Sequence, residues 1–200
     1  MIVVGLAGRI GAGKSAIAER LRDAWGFTVV SFADGLREEL LERMPLTLRA
    51  IHDMTDGCTC YRGDQPYPDP GLYPECLRRM LYEVKPLGFR ELLQEYGSQV
   101  RRADDPDYWA KRWYERFMKT LGPVVVPDVR FPNEARAIRN MGGLLWHVDR
   151  PGYDSGSQHA SETALAHWMD WDAEIRNEGT LAELHAKVDA QAQRWVHMLT

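Results

Sequence analysis

No stretch of this 200-residue chain is apolar for long enough to span a bilayer, so nothing in it reads as a membrane helix. An excess of basic residues is also missing. The 25 Lys and Arg stand against 29 Asp and Glu, and a net charge of −4 argues against nucleic acid as the main partner. Cysteine is scarce: Cys58, Cys60 and Cys76 are the only three, an odd and sparse set that is not a disulfide framework. Together with His52 they could supply four zinc ligands, but the spacing fits no standard site. Free thiols in a reducing compartment are the reading carried forward. No internal repeat is evident. The first residues run directly into a strand pattern with no signal peptide, which sets the expectation of a cytoplasmic protein. What remains, at 44% hydrophobic and 27% charged, can bury the core of one domain.

One stretch is rich where the rest is plain. Gly8 to Ser15 reads GRIGAGKS, the spacing G-x-x-x-x-G-K-S. Before it, Ile2 to Ala7 is an apolar run suited to a buried parallel strand. Gly8, Gly11 and Gly13 allow a backbone that turns its N–H groups inward. After it, Ser15 opens a helix whose Ile17, Leu21 and Trp25 form one apolar stripe. Phosphate oxygens would meet backbone donors and the positive end of a helix dipole. Lys14 would reach the β- and γ-phosphates, and the Ser15 hydroxyl would ligate an accompanying magnesium ion. Strand, loop and helix in this order predict nucleotide binding, with Gly8, Arg9, Ile10, Gly11, Ala12, Gly13, Lys14, Ser15 and Ala16 as the phosphate site.

Further along, Thr28 to Ser31 reads as a second strand and Asp34 to Met44 as a helix with Leu36, Leu40 and Leu41 on one side. From Pro45 to Pro86 the pattern breaks. Five prolines between Pro66 and Pro86 predict irregular structure with at most a short helix at its end. Helices are expected over Phe89–Ala103, with Leu92, Leu93, Tyr96 and Val100 buried, and over Asp107–Leu121, where Trp109, Trp113 and Phe117 recur. Pro123 to Pro127 is a buried strand with Asp128 just past its end. A helix at Pro132–Met141, strands at Leu144–Val148 and Ala173–Arg176, and a helix from Leu181 complete the chain. Strands alternating with helices imply a parallel sheet with ligands at the carboxyl ends of its strands.

That rule selects candidates. Asp128 is placed to serve magnesium through its water shell, with helix capping as the plainer alternative. Arg130 could hold a phosphate with its planar fork. Arg90 and Gln94 lie one helical turn apart, and Arg101 continues their polar side by way of Glu91 and Ser98. Asp34 could orient an acceptor or simply cap its helix. Arg37, one turn on, could touch an acceptor phosphate or be solvated. The stretch DRPGYDSGSQHASETA, with Arg150, His159 and Glu162, has the composition of a lid that excludes water.

These blocks, taken in order, resemble a known family. GRIGAGKS, SFADGLRE, RELLQEYGS with PDYW, VPDVRFPNEARAIRNMGG, VDRPG, HASE and IRNEGTLAEL make the chain similar to the deoxynucleoside monophosphate kinases of tailed bacteriophages. The resemblance implies an α/β, three-layer P-loop kinase fold of about five parallel strands. It implies one domain over residues 1–200, with a core at 1–44 and 121–200, a monophosphate-binding region at 45–120 and a short lid at about 150–168. It implies transfer of the γ-phosphate of ATP to a deoxynucleoside 5′-monophosphate with Mg2+, in the host cytoplasm if phage-encoded, with a homodimer as a family-level expectation. On that reading Lys14, Arg130, Arg150 and Asp34 are the catalytic set. Ser15 and Asp128 serve the metal, and Asn177 meets the adenine of ATP. Asp34, Arg37, Arg90, Gln94, Arg101, Trp109, Asp128, Arg130, His159 and Glu162 belong to the substrate. The chain departs from the family in FADGLR, where Gly35 and Arg37 replace proline and lysine. Competing readings are a kinase of the dephospho-coenzyme A kinase kind, a P-loop ATPase that drives motion, and a non-catalytic binding module.

Overall fold

Residues 2–53, 73–153 and 163–199 are described by the computed structural model of the chain. Its elements run β1 (Val3–Ala7), α1 (Lys14–Trp25), β2 (Thr28–Val29), α2 (Ala33–Arg43), α3 (Pro45–Asp53) and α4 (Tyr73–Arg79). A π-helical turn (Met80–Val84), α5 (Leu87–Glu95), a second π-helical turn (Tyr96–Arg101), α6 (Arg102–Asp104) and α7 (Tyr108–Phe117) follow. The chain closes with β3 (Val124–Val129), α8 (Pro132–Asn140), β4 (Leu144–Asp149), β5 (Ala173–Arg176) and α9 (Leu181–Leu199). The chain divides into two units, Met1–Phe32 with Ala110–Thr200, and Ala33–Trp109.

In the first unit all five strands are parallel, in the order β2-β3-β1-β4-β5. β1 is central because each of its residues is buried, as a strand covered on both faces requires. Its side chains alternate between two cores. Val4 and Leu6 pack with Ile17 and Leu21 of α1 and with Leu184 and Val188 of α9. Val3 and Ala7 pack with Trp113 and Phe117 of α7 and with Ile138 of α8. A three-layer α/β/α arrangement around a five-stranded parallel sheet is therefore present in this unit, as the sequence indicates.

Two expectations here are corrected. β2 pairs over Thr28–Val29 only, short of Ser31. β3 does not stop at Pro127: it continues to Val129, so Asp128 lies within the strand. The ladder shows why. Gly5 pairs with Val126 and Ala7 with Val129, so two steps on β1 face three on β3. Pro127 has no N–H to give the ladder, and a bulge absorbs it.

The second unit is helical around Leu36, Leu40, Leu48, Leu77, Leu81, Phe89 and Trp109. The expectation of irregular structure from Pro45 to Pro86 is overturned at Pro45–Asp53, which forms α3, whereas the short helix allowed at its end is present as α4; residues 54–72 lie outside the described residues. Pro45 occupies the first position of α3 and Pro74 the second of α4. A missing N–H costs nothing in a first turn, so these prolines start helices rather than break them. The helix expected over Phe89–Ala103 changes type at Tyr96, and Val100, expected in its buried face, is 46% exposed. The i→i+5 bonding of the π turn widens the helix locally, and Tyr96 and Arg101 both reach Glu39.

Candidate active site

The loop after β1 sits at the carboxyl edge of the sheet. Gly8, Gly11 and Gly13 take φ of +142°, +78° and +109°. A Cβ at Gly8 would lie 2.1 Å from the Val148 carbonyl oxygen, and one at Gly13 would lie 2.6 Å from Asn177 Nδ2. The cradle therefore needs glycine at both places for space as well as for backbone angle. Helix α1 starts at Lys14, one residue before the expected Ser15. No side chain caps it and its first turn carries no acidic residue, so the positive end of the helix dipole is left to an anion. Lys14 Nζ donates to the Gly8 and Arg9 carbonyls at 2.5 and 2.8 Å, which holds the ammonium at the loop. Ser15 is exposed on that first turn.

Four neighbours in this unit complete the edge. Asp128, at the bulge of β3, accepts hydrogen bonds from Ser31 Oγ and from the Phe32 N–H at 2.9 Å. Arg130 is half-buried at the end of β3. Its N–H and that of Phe131 donate to Glu134 Oε2 at 2.7 and 3.0 Å, so buried Glu134 fixes the turn that presents it. After β4, Arg150 donates to the Gly11 carbonyl at 3.3 Å, and its guanidinium lies 5.2 Å over the Tyr153 ring. That ring covers the loop closely, since a Cβ at Gly11 would be 2.3 Å from Tyr153 Cε1. Asn177, just past β5, donates from Nδ2 to the Ala12 carbonyl at 2.9 Å. Beside it, Arg176, Glu178, Gly179, Glu183, Leu184 and Lys187 help line a cavity of about 220 Å³.

The second unit holds the other candidates. Arg37 pairs with Asp34 at 2.8 Å, and the two side chains are only 12% and 14% exposed. The Arg37 guanidinium also lies 4.9 Å over the Tyr82 ring. The solvated reading of Arg37 is thus set aside. Asp34 stands inside the first turn of α2 rather than capping it. Arg90 is exposed and donates to the Lys85 carbonyl at 2.6 Å, while Gln94 is half-buried.

Arg101 and Trp109 are engaged by partners within the second unit. Glu39 is buried on α2, 3% exposed, and accepts hydrogen bonds from Tyr96 and Tyr108 at 2.8 and 2.7 Å and from Arg101 Nε at 2.6 Å. Arg101 is committed to this carboxylate, which the π turn brings within its reach together with Tyr96. Burial works against the charge on Glu39, but the two tyrosine hydroxyls and the arginine outweigh it and hold its carboxyl below the ordinary glutamate range. Trp109 is 2% exposed and donates to the Gly97 carbonyl at 2.9 Å. It packs into the core of the second unit. His159 and Glu162 lie outside the described residues, as do Cys58 and Cys60.

With this geometry in view, the comparisons are specific. The family described as Deoxynucleotide monophosphate kinase matches residues 75–188, more than half of the chain. A protein of Acanthamoeba polyphaga mimivirus assigned by name to the same family is 30% identical over 193 residues, covering 94% of each chain. The chain belongs to the deoxynucleotide monophosphate kinase family. It is accordingly a kinase, and ATP as phosphate donor comes with the family. Enterobacteria phage T4 deoxynucleotide monophosphate kinase is 35% identical over 104 residues, covering 50% of this chain and 43% of its own. The Escherichia phage RB69 enzyme of the same name is 29% identical over 157 residues, covering 74% and 61%. The chain thus matches less than two thirds of the length of either phage relative. A dephospho-CoA kinase from Campylobacter jejuni is similar in structure at a TM-score of 0.43 and 15% identity, over 96% of both chains. No helix among the described residues is long and apolar enough to cross a membrane.

Four residues hold this kinase's candidates in place in roles the sequence did not assign them. Ser31 and Glu134 fix Asp128 and the turn of Arg130, Tyr153 stacks on Arg150, and Glu39 takes Arg101. Glu39 left a trace, since it falls on the same helix face as Leu36 and Leu40. Ser31 depends on a contact across 97 residues that no local pattern encodes, whereas Glu134 and Tyr153 lie only four and three residues from Arg130 and Arg150.

Proposed function

We propose that this kinase moves the γ-phosphate of ATP to a deoxynucleoside 5′-monophosphate, giving ADP and the diphosphate, and that the loop Gly8–Ser15 holds the donor. The observation that carries the reading is that loop in a chain of this family: three left-handed glycines, an uncapped helix start and Lys14 gathered at its mouth. Asn177, anchored on Ala12 beside a cavity, is the candidate for the adenine. Arg150 and Arg130 are the candidates for charge that develops on the transferring group. Asp34, Arg37, Arg90 and Gln94 are the candidates for the acceptor, with Arg37 already oriented by Asp34.

The residues present also suit magnesium. Ser15 offers an exposed hydroxyl at the helix start, and Asp128 is an anchored carboxylate at the same sheet edge. Magnesium retains several waters and asks little of the protein, so Ser15 and Asp128 would hold it. When bound, it supplies charge neutralisation on the phosphate oxygens.

No general base is required. An acceptor phosphate oxygen is already an adequate nucleophile: it forms the new bond to the γ-phosphorus as the bond to the ADP oxygen breaks. The protein contributes alignment and charge, through Lys14 and the arginines. Asp34 therefore acts by orienting Arg37 rather than by taking a proton. The test is ADP release from MgATP with dAMP, dGMP, dCMP, TMP and dephospho-coenzyme A offered singly, beside a control without acceptor. Turnover that depends on a deoxynucleoside monophosphate is expected. Dependence on dephospho-coenzyme A, or equal release without any acceptor, would replace the proposal with the other kinase or with an ATPase.

A further inference from the structure

Arg37, a candidate for the acceptor, is held from two directions within the second unit. Its Nη1 donates to Asp34 Oδ1 at 2.8 Å, and its guanidinium lies 4.9 Å over the Tyr82 ring. The side chain is only 12% exposed, yet Nε has no hydrogen-bond partner among the described residues. A buried donor left over in this way suits a fork that receives a ligand better than one that only ties the fold.

Tyr82 reaches Arg37 from an unusual piece of backbone. It lies in the π turn Met80–Val84, which Lys85 closes by donating its N–H to the Met80 carbonyl at 2.9 Å. Lys85 takes φ +49° and is the one non-glycine residue, among those described, in the left-handed region. Its carbonyl accepts from Arg90 Nε at 2.6 Å, so a second acceptor candidate braces the same turn. A left-handed lysine costs energy that a continuing helix would avoid, and such residues, like π turns, concentrate at functional sites.

We propose that Tyr82 is a positioning residue for the acceptor, its ring holding the plane of Arg37 so that the phosphate of a deoxynucleoside monophosphate meets a guanidinium already oriented. The proposal rests on the reading of Arg37 as an acceptor residue. A ring face suits the task because it attracts the cation without consuming an N–H. A second carboxylate would take those donors and offset the charge. Asp34 fixes one edge of the fork and Tyr82 one face, which leaves Nε to a phosphate oxygen. An arginine held this way loses little side-chain freedom when the acceptor arrives, so the gain falls on acceptor affinity.

The test uses the full-length chain and whichever of dAMP, dGMP, dCMP and TMP the wild type turns over fastest. Tyr82→Leu is expected to raise the KM for that acceptor about fivefold to twentyfold, with a smaller change in kcat. The KM for ATP should move by less than about twofold. Tyr82→Phe keeps the ring face and is expected to bring the acceptor KM back to within about threefold of wild type. Tyr82→pentafluorophenylalanine keeps the shape but inverts the charge of the face, and is expected to behave as Tyr82→Leu. It keeps the test decisive if the leucine variant loses its fold, which circular dichroism reports. In an Arg37→Gln background Tyr82→Leu should add less than about twofold. An acceptor KM unchanged by Tyr82→Leu or by the fluorinated ring would overturn the proposal. So would a KM for ATP that rises in step with it, or an equal effect in the Arg37→Gln background. A wild type that transfers phosphate to none of the four acceptors would overturn the reading beneath it, and the proposal with it.

Discussion

Gly13 and Lys14 carry the largest consequences for their size. Gly13 turns the chain at φ +109° immediately before α1 and leaves no room for a Cβ against Asn177. Gly13→Ala should cost about 1–2 kcal/mol for the left-handed backbone alone, seen in urea unfolding, and should raise the KM for ATP as the cradle shifts. Lys14 stands on two loop carbonyls and has no neighbouring carboxylate in the first turn of its helix. Lys14→Ala should lower kcat by about 10²–10³, the scale for loss of one charged donor at a developing oxyanion, while the thermal midpoint stays near wild type. Both residues were legible from spacing alone, because a phosphate cradle is a local structure. Asp128 was legible as a residue but not in its setting: the bulge at Pro127 depends on the register with β1, which only the assembled sheet defines.

At the scale of elements, the turn from α5 into the π helix decides what Arg101 does. Regular helical spacing puts Arg101 on the polar side of Arg90 and Gln94. The wider turn instead points it, with Tyr96, at Glu39. Nothing in FRELLQEYGSQVRRA announces that change, so periodicity misplaced Val100 and did not foresee the Glu39 partner of Arg101. The prolines misled for a different reason, since a first-turn proline and a helix-breaking one look alike until the helix is placed. The Glu39 network makes a pH prediction. Its carboxyl is held below the unfolded value of about 4.3, so its contribution is complete above that value and disappears as pH falls through the lower folded one. Unfolding midpoints of the wild type should therefore drop steeply below about pH 4. Glu39→Gln should lose about 1–3 kcal/mol at neutral pH and show a shallower acid slope. Equal slopes in the two proteins would show that Glu39 does not stay charged in the fold.

For the whole molecule, the parallel sheet and the nucleotide loop were readable because strand, loop and helix follow one another in the first unit. The second unit was harder, as its described core is assembled from short helices and π turns whose apolar residues are spread from Leu36 to Trp109. Membership of the deoxynucleotide monophosphate kinase family rests on residues 75–188 and on a relative aligned along nearly the full chain. The central claim is that the loop serves transfer rather than hydrolysis. The most direct test follows the label of γ-32P-ATP with Mg2+ and each deoxynucleoside monophosphate, in the wild type and in Lys14→Ala. The account predicts label in a deoxynucleoside diphosphate for at least one base, and its loss in the variant. Label appearing only as inorganic phosphate, at a rate indifferent to the acceptor, would contradict it.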